Sequence, residues 1–76
     1  MEISLDRVRP GVQAVVSAIE VGEALTSRLR DFGLVPGTRV CCCYRSPGGQ
    51  VTALELRGTV LALRTVDLKG IWVRHG

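Results

Sequence analysis

The sequence predicts a mainly β fold, a small barrel of about five strands with one helix inserted after the first strand. Several short segments alternate apolar and polar residues, and glycine-containing turns separate them. One segment, 21–32, instead has the period of a helix. The chain has only 76 residues, which is room for a single domain, 1–76, with one core.

The first strand and the helix follow a turn at Pro10-Gly11. Alternate residues of 12–18 are apolar, as in a strand, and Ile19 breaks the alternation, either at a bulge or at the strand's end. The next apolar residues are spaced by four, four and three, which places them on one helical face: Val21, Leu25, Leu29 and Phe32.

The end of the helix is predicted by Gly33, which can adopt the positive φ of a Schellman cap. In that motif Leu34 and Leu29 form the accompanying apolar contact. Pro36 and Gly37 then suit the central positions of a type II turn.

The rest of the chain reads as strands joined by tight turns. "TRVCCCYR" is predicted to place Val40, Cys42 and Tyr44 on one face and Cys41, Cys43 and Arg45 on the other. "SPGG" is a loop, Gly58-Thr59 a reversal, and "TVDLKG" a 3₁₀ turn with Thr65 as its cap. The predicted strand core is Val16, Cys42, Leu54, Leu56, Leu61, Leu63, Ile71 and Val73.

Composition narrows the possible functions. The chain is 46% hydrophobic and 22% charged, which is typical of a globular fold, and no apolar run reaches the ~20 residues of a membrane span. Its N-terminus lacks the apolar stretch of a signal peptide, so we expect a cytoplasmic protein. The net charge of +3 comes from scattered arginines rather than a dense basic stripe. No catalytic triad, phosphate loop or paired acid motif is present, so the sequence favours a non-enzyme.

Three stretches resemble the FeoA family of small accessory proteins of bacterial ferrous iron transport: "LRDFGLVPGTRV" (29–40), "SPGG" (46–49) and "LRGTVLALR" (56–64). The opening "SLDRVRPGVQAVVSAIE" and the closing "GIWV" also fit that family, so the resemblance covers nearly the whole chain. It implies an SH3-like barrel with a helix after the first strand. Similar domains form the C-terminal part of metal-dependent repressors. The given sequence shows no helix-turn-helix before its barrel, so we expect it to resemble the free-standing transporter accessory.

The resemblance further implies a function. Such a protein is an adaptor that binds the cytosolic part of a FeoB-type, GTP-dependent iron transporter and modulates uptake, peripheral to the inner membrane through that partner. It requires no cofactor, is not an enzyme and does not bind nucleic acid, although a weak homodimer is compatible with it. Barrel loops carry binding while strands carry packing, so we expect the contact surface on the helix and two loops. Its candidate residues are Arg28, Arg30, Leu34, Pro36, Pro47 and Trp72.

The triple cysteine is a departure from the family pattern, so the resemblance gives it no role. Cys42 is expected to be a small buried hydrophobe. Cys41 and Cys43 share the opposite face as plain thiols or, in the alternative, as soft ligands that hold Fe(II) or Zn(II) between two copies. That alternative makes the chain a transition-metal sensor or carrier.

Two further alternatives concern the surface. Trp72 faces outward, where it is either half-buried under the "TVDLK" turn or the N-terminal segment, or a partner contact. The arginines at 28, 30, 45, 57 and 64 either are simply solvated or complement an acidic partner. A small RNA-binding barrel is disfavoured, because one Phe, one Tyr and one Trp are too few for a stacking platform.

Overall fold

The computed structural model describes residues 1–75, which form one six-stranded antiparallel sheet curled around a core. The strands are β1 (Glu2–Ser4), β2 (Gln13–Ile19), β3 (Arg39–Arg45), β4 (Val51–Leu56), β5 (Thr59–Arg64) and β6 (Ile71–Arg74). Their order across the sheet is β1-β6-β2-β3-β4-β5. One α-helix, α1 (Glu23–Asp31), joins β2 to β3, and 3₁₀ turns cover Leu5–Arg7 and Thr65–Gly70.

The mainly β fold with one inserted helix is confirmed, with one strand more than predicted. The additional strand, β1, has three residues, too few for an alternation to show in the sequence. It pairs with β6, where Ile3 lies opposite Val73. The helix therefore follows the second strand rather than the first.

The turn chemistry predicted around α1 is confirmed. Gly33 has φ of 86°, its amide donates to Arg30, and the Leu34 amide donates to Leu29, which is the Schellman pattern. Gly37 has φ of 94°, as a type II turn requires. Phe32, in contrast, is 46% exposed and lies outside the core. The helix ends at Asp31, so Phe32 is its C-cap residue and does not continue the buried helical face.

The core contains all eight strand residues predicted for it. It also contains residues that the predicted strand core does not include, among them Leu5 and Leu68. The two 3₁₀ turns that carry these leucines contact each other. Thr65 does not cap the second turn. Its hydroxyl instead hydrogen-bonds that of buried Thr52 at 2.8 Å.

Two β-bulges alter which side chains face the core. The β2–β6 register shifts between Val16 and Ala18, which accounts for the broken alternation before Ile19. The β3–β4 register shifts between Cys42 and Tyr44, with Cys43 as the extra residue. The predicted faces of Tyr44 and Arg45 are consequently wrong: Tyr44 is 56% exposed, and Arg45 turns toward the interior.

Candidate partner-binding surface

The six residues predicted to contact a partner lie in different environments. Arg28 and Arg30 are exposed in the last turn of α1, Pro36 is exposed in the turn that follows, and Pro47 is exposed in the loop between β3 and β4. Arg30 and Pro36 line different cavities. The structure thus leaves these four side chains available to a partner without gathering them into one pocket.

Leu34 differs from the other five because it has no exposed surface. The Schellman cap turns it back onto the core, where Leu29 is also buried. A buried leucine cannot contact a partner in this conformation, so we correct its role to that of a core residue.

Trp72 is half-buried on the outer face of β6. Its Nε1 donates a hydrogen bond to Glu20 Oε1 at 2.9 Å, which joins β6 to the segment before α1. The half-burial agrees with the first alternative, although Glu20 belongs to neither of the two segments expected to cover the ring, and part of the ring stays accessible.

The three cysteines divide as the alternation predicted. Cys42 is 1% exposed, whereas Cys41 is half-buried and Cys43 is exposed. The Cys43 thiol lies 3.4 Å from the carbonyl oxygen of Ala53, and the Cys41 thiol lies 3.8 Å from that of Cys42. Within residues 1–75 no three His, Cys, Asp or Glu side chains come together as a metal site. A metal held by Cys41 and Cys43 would therefore need ligands from a second copy.

Arg45 is not a surface arginine, although the sequence grouped it with the others. The bulge at Cys43 turns it inward, where Nε donates to Thr52 Oγ1 at 3.1 Å and Nη2 to the carbonyl oxygen of Val8 at 3.4 Å. Nη2 also lies 3.6 Å from the Cys42 thiol. Arg45 is half-buried, and these contacts hold its guanidinium group against Thr52, Val8 and Cys42.

A basic groove crosses the outer face of β6, β2, β3 and the β4–β5 turn. It comprises two adjoining cavities of about 500 and 140 Å³, which share Gln13 and Arg39. The larger is also lined by Val15, Arg74 and His75. The smaller extends past Cys41 to Glu55 and Arg57.

Most residues of this groove were not predicted as a site. Arg39 and Arg74 are isolated arginines at a strand start and a strand end, and nothing local in the sequence connects them. They meet only because β2 pairs with β3 on one side and with β6 on the other. The sequence could have shown that both arginines lie on the outer faces of strands. It could not have shown that they are neighbours, because that depends on the order of the strands in the sheet.

The fold and the groove together define a small antiparallel β-barrel of the binding-module type. In comparisons with known proteins, residues 3–75 match the FeoA domain family. The chain therefore belongs to the FeoA family, a family of accessory proteins of ferrous iron transport, and its fold is the SH3-like fold of that family. A comparison with curated protein sequences finds no match.

Solved FeoA structures share the fold over nearly the whole chain. The FeoA protein of Chlorobium tepidum is 27% identical with a TM-score of 0.92, covering 96% of this chain and 70% of its own. A FeoA-like protein of Clostridium acetobutylicum is 31% identical with a TM-score of 0.85, and the coverages are 97% and 86%. FeoA of Stenotrophomonas maltophilia, solved in complex with zinc, is 28% identical with a TM-score of 0.83, and the coverages are 95% and 89%.

A more distant likeness extends to a manganese-dependent transcriptional repressor. It is 16% identical with a TM-score of 0.87, and this chain covers 42% of that protein. At this identity the likeness concerns the fold alone.

Among the described residues, no helix has the length and apolar character needed to cross a membrane.

Proposed function

We propose that this protein is an adaptor that binds the cytosolic part of a FeoB-type, GTP-dependent ferrous iron transporter and modulates uptake. The observation that supports the proposal is the family match over residues 3–75, together with the likeness to FeoA structures over nearly the whole chain. One of these relatives, the Stenotrophomonas maltophilia protein, has been put forward as a ferrous iron transport activating factor. In this proposal the chain acts at the cytoplasmic face of the membrane.

The exposed residues of α1 and its flanking turns remain available for such a partner. Arg28 and Arg30 present two cations on one helix end, and Pro36 presents an apolar ring on the next turn. Pro47 lies on a separate loop, and Trp72 offers a partly exposed aromatic ring. Loops on a rigid barrel are suited to recognition because they can vary without disturbing the core.

Binding of the purified chain to the isolated cytosolic GTP-binding domain of the transporter tests this proposal. Calorimetry with the domain in its GDP-bound and GTP-analogue-bound states measures the affinity, and GTP hydrolysis with and without the chain measures the effect. We expect saturable binding and a changed rate of hydrolysis or of Fe(II) uptake. An absence of binding in both nucleotide states, with uptake unchanged in cells that lack the chain, would contradict the proposal.

A second candidate function is a transition-metal sensor or carrier, favoured by the exposure of Cys43 and the half-exposure of Cys41 on one strand. Thiolates suit Zn(II) and Fe(II), and two copies could supply the four ligands of a tetrahedral site. Native mass spectrometry of the reduced chain with each metal tests this candidate. A metal-bridged dimer that the Cys41→Ser, Cys43→Ser double variant cannot form would support it, and a metal-free monomer throughout would contradict it.

A further inference from the structure

The basic groove is continuous across three strands because of their pairing register. Val15 on β2 lies opposite Arg39 on β3 and opposite Arg74 on β6. Neighbouring strands lie about 4.8 Å apart, so the Cα atoms of the two arginines are roughly 10 Å apart with Val15 between them. All three residues point outward, because the adjacent Val16, Val40 and Val73 are buried.

The two guanidinium groups have donors available for a ligand. Within residues 1–75 the one ion pair closer than 4 Å joins Arg64 to Asp67, and the side chains of Arg39 and Arg74 make no hydrogen bond there. Glu2 lies opposite Arg74 on β1, and Glu55 lines the smaller cavity, but neither forms an ion pair with these arginines. His75 and Arg57 add further donors at the two ends of the groove.

The floor between the arginines is apolar. Val15 is 39% exposed, and a third cavity of about 430 Å³ continues from Val15 and Arg74 to Pro36 and Gly37. These features suit a ligand that places carboxylates over the arginines and a small apolar group over Val15. An extended peptide meets this requirement, since side chains on one of its faces recur about every 6.8 Å and long arginine side chains can reach both carboxylates.

The same features argue against nucleic acid. The chain's one Phe, one Tyr and one Trp (Phe32, Tyr44 and Trp72) line none of these three cavities, and His75 is the one aromatic ring that does. Single-stranded nucleic acid is held by several aromatic side chains that stack on the bases together with backbone charge, and this groove has the charge with a single imidazole ring.

We propose that the basic groove binds an acidic, extended peptide segment of a partner protein, with Arg39 and Arg74 each taking a carboxylate on either side of Val15. The inference deepens the proposed adaptor function. It rests on that function only for the identity of the partner, which would be the cytosolic part of the transporter. Arg28 and Arg30 of α1 line none of these three cavities, so the two surfaces can be tested with different variants.

Fluorescence anisotropy with a labelled peptide of alternating glutamate and alanine tests the groove directly. We expect the Arg39→Gln, Arg74→Gln double variant to bind about tenfold more weakly, or worse, because two charge-assisted contacts are lost. The matched control is Arg7→Gln, Arg9→Gln, which removes the same charge from two exposed residues that line none of the three cavities and should leave the affinity within about twofold. A peptide of alternating glutamine and alanine should not bind.

Several outcomes would overturn the inference. The first is that the acidic peptide does not bind the wild-type chain, and the second is that both double variants weaken its binding equally. The third is that a single-stranded oligonucleotide or phosphatidylglycerol vesicles bind in the groove in place of the peptide. If the groove variant fails to fold, amide chemical shifts of the wild-type chain decide instead. Val15, Arg39 and Arg74 must then shift on addition of the peptide.

Titration of the same variants against the transporter's cytosolic domain separates the two proposals. Wild-type binding that the groove variant retains would overturn the inference and leave the adaptor function standing. No wild-type binding to the domain would contradict the adaptor function, while the peptide titration would still decide the groove.

Discussion

Arg45 Nε donates a hydrogen bond of 3.1 Å to Oγ1 of Thr52, a side chain with no exposed surface. The Thr52 hydroxyl also hydrogen-bonds that of Thr65 at 2.8 Å, so Arg45, Thr52 and Thr65 form one chain of polar contacts. The contact exists because Cys43 is the extra residue of a bulge, which turns Arg45 to the interior side of β3.

Replacement of this arginine should destabilise the fold. We expect Arg45→Met, which keeps most of the apolar stem, to lower the free energy of unfolding by about 1–2 kcal/mol, since it removes the charged donor from Thr52 and from the Val8 carbonyl group. Urea unfolding followed by the fluorescence of Trp72, the only tryptophan, measures the change. Arg28→Met on the exposed face of α1 is the control, and equal losses in both variants would show that Arg45 has no special role.

Gly70 is the glycine whose replacement should cost the most. A Cβ atom at Gly70 would overlap the carbonyl oxygen of Glu20 and press on Val21, and the backbone there is held by a 2.6 Å hydrogen bond from the Glu20 amide to the Gly70 carbonyl group. We therefore expect Gly70→Ala to cost more than about 2 kcal/mol in thermal or urea unfolding.

The control for this prediction is Gly22→Ala, where an added Cβ meets no atom within 4 Å and φ is −57°. Its expected cost is below about 1 kcal/mol, because alanine is only a poorer N-cap than glycine. Similar stabilities of the two variants would contradict the close approach of Gly70 to the Glu20 backbone.

The turn between β4 and β5 contains a non-glycine residue in the left-handed region. Arg57 has φ of 51° and Gly58 has φ of 76°, which is the pattern of a two-residue type I′ hairpin. Asparagine tolerates this conformation better than arginine, and β-branched residues tolerate it poorly. We expect Arg57→Asn to raise the unfolding free energy by about 0.5 kcal/mol and Arg57→Val to lower it by about 1 kcal/mol.

Both replacements remove the same charge, so their difference isolates the backbone preference. Paired urea unfolding curves at one salt concentration measure it. A valine variant as stable as the asparagine variant would be incompatible with a strained turn at Arg57.

The three adjacent thiols should react at very different rates. Cys43 is exposed, Cys41 is half-buried and Cys42 is buried, so maleimide should label them in that order, and Cys42 only when the barrel opens. Samples of the native protein are taken at intervals during labelling and digested, and mass spectrometry of the resulting peptides gives the labelling rate of each cysteine. In denaturant all three should react alike, and rapid native labelling of Cys42 would refute its place in the core.

Much of the fold could be predicted from local patterns. The Schellman cap at Gly33, the turn at Gly37 and the burial of Leu54 and Leu56 all depend on residues close in sequence, and the structure confirms them. Strand β1 was missed because three residues carry no period, and its stability comes from pairing with β6.

The candidate surface was less predictable. Leu34 was assigned to a contact surface because it lies in a loop-like segment, although the cap motif that was itself predicted turns it inward. Arg45 was placed outside because strict alternation ignores a bulge, and a bulge of one residue reverses every later side chain on the strand.

The family, the barrel with its single helix, the cap and turn after α1, and the eight buried strand residues could be predicted from the sequence alone. These depend on alternation, glycine conformation and motif order, which act over a few residues. The row formed by Arg39, Val15 and Arg74, and the contact of half-buried Arg45 with Thr52, could be found only from the folded structure. Strand order, register and bulges join residues far apart in the chain, and their energies come from pairing and burial that no local pattern contains.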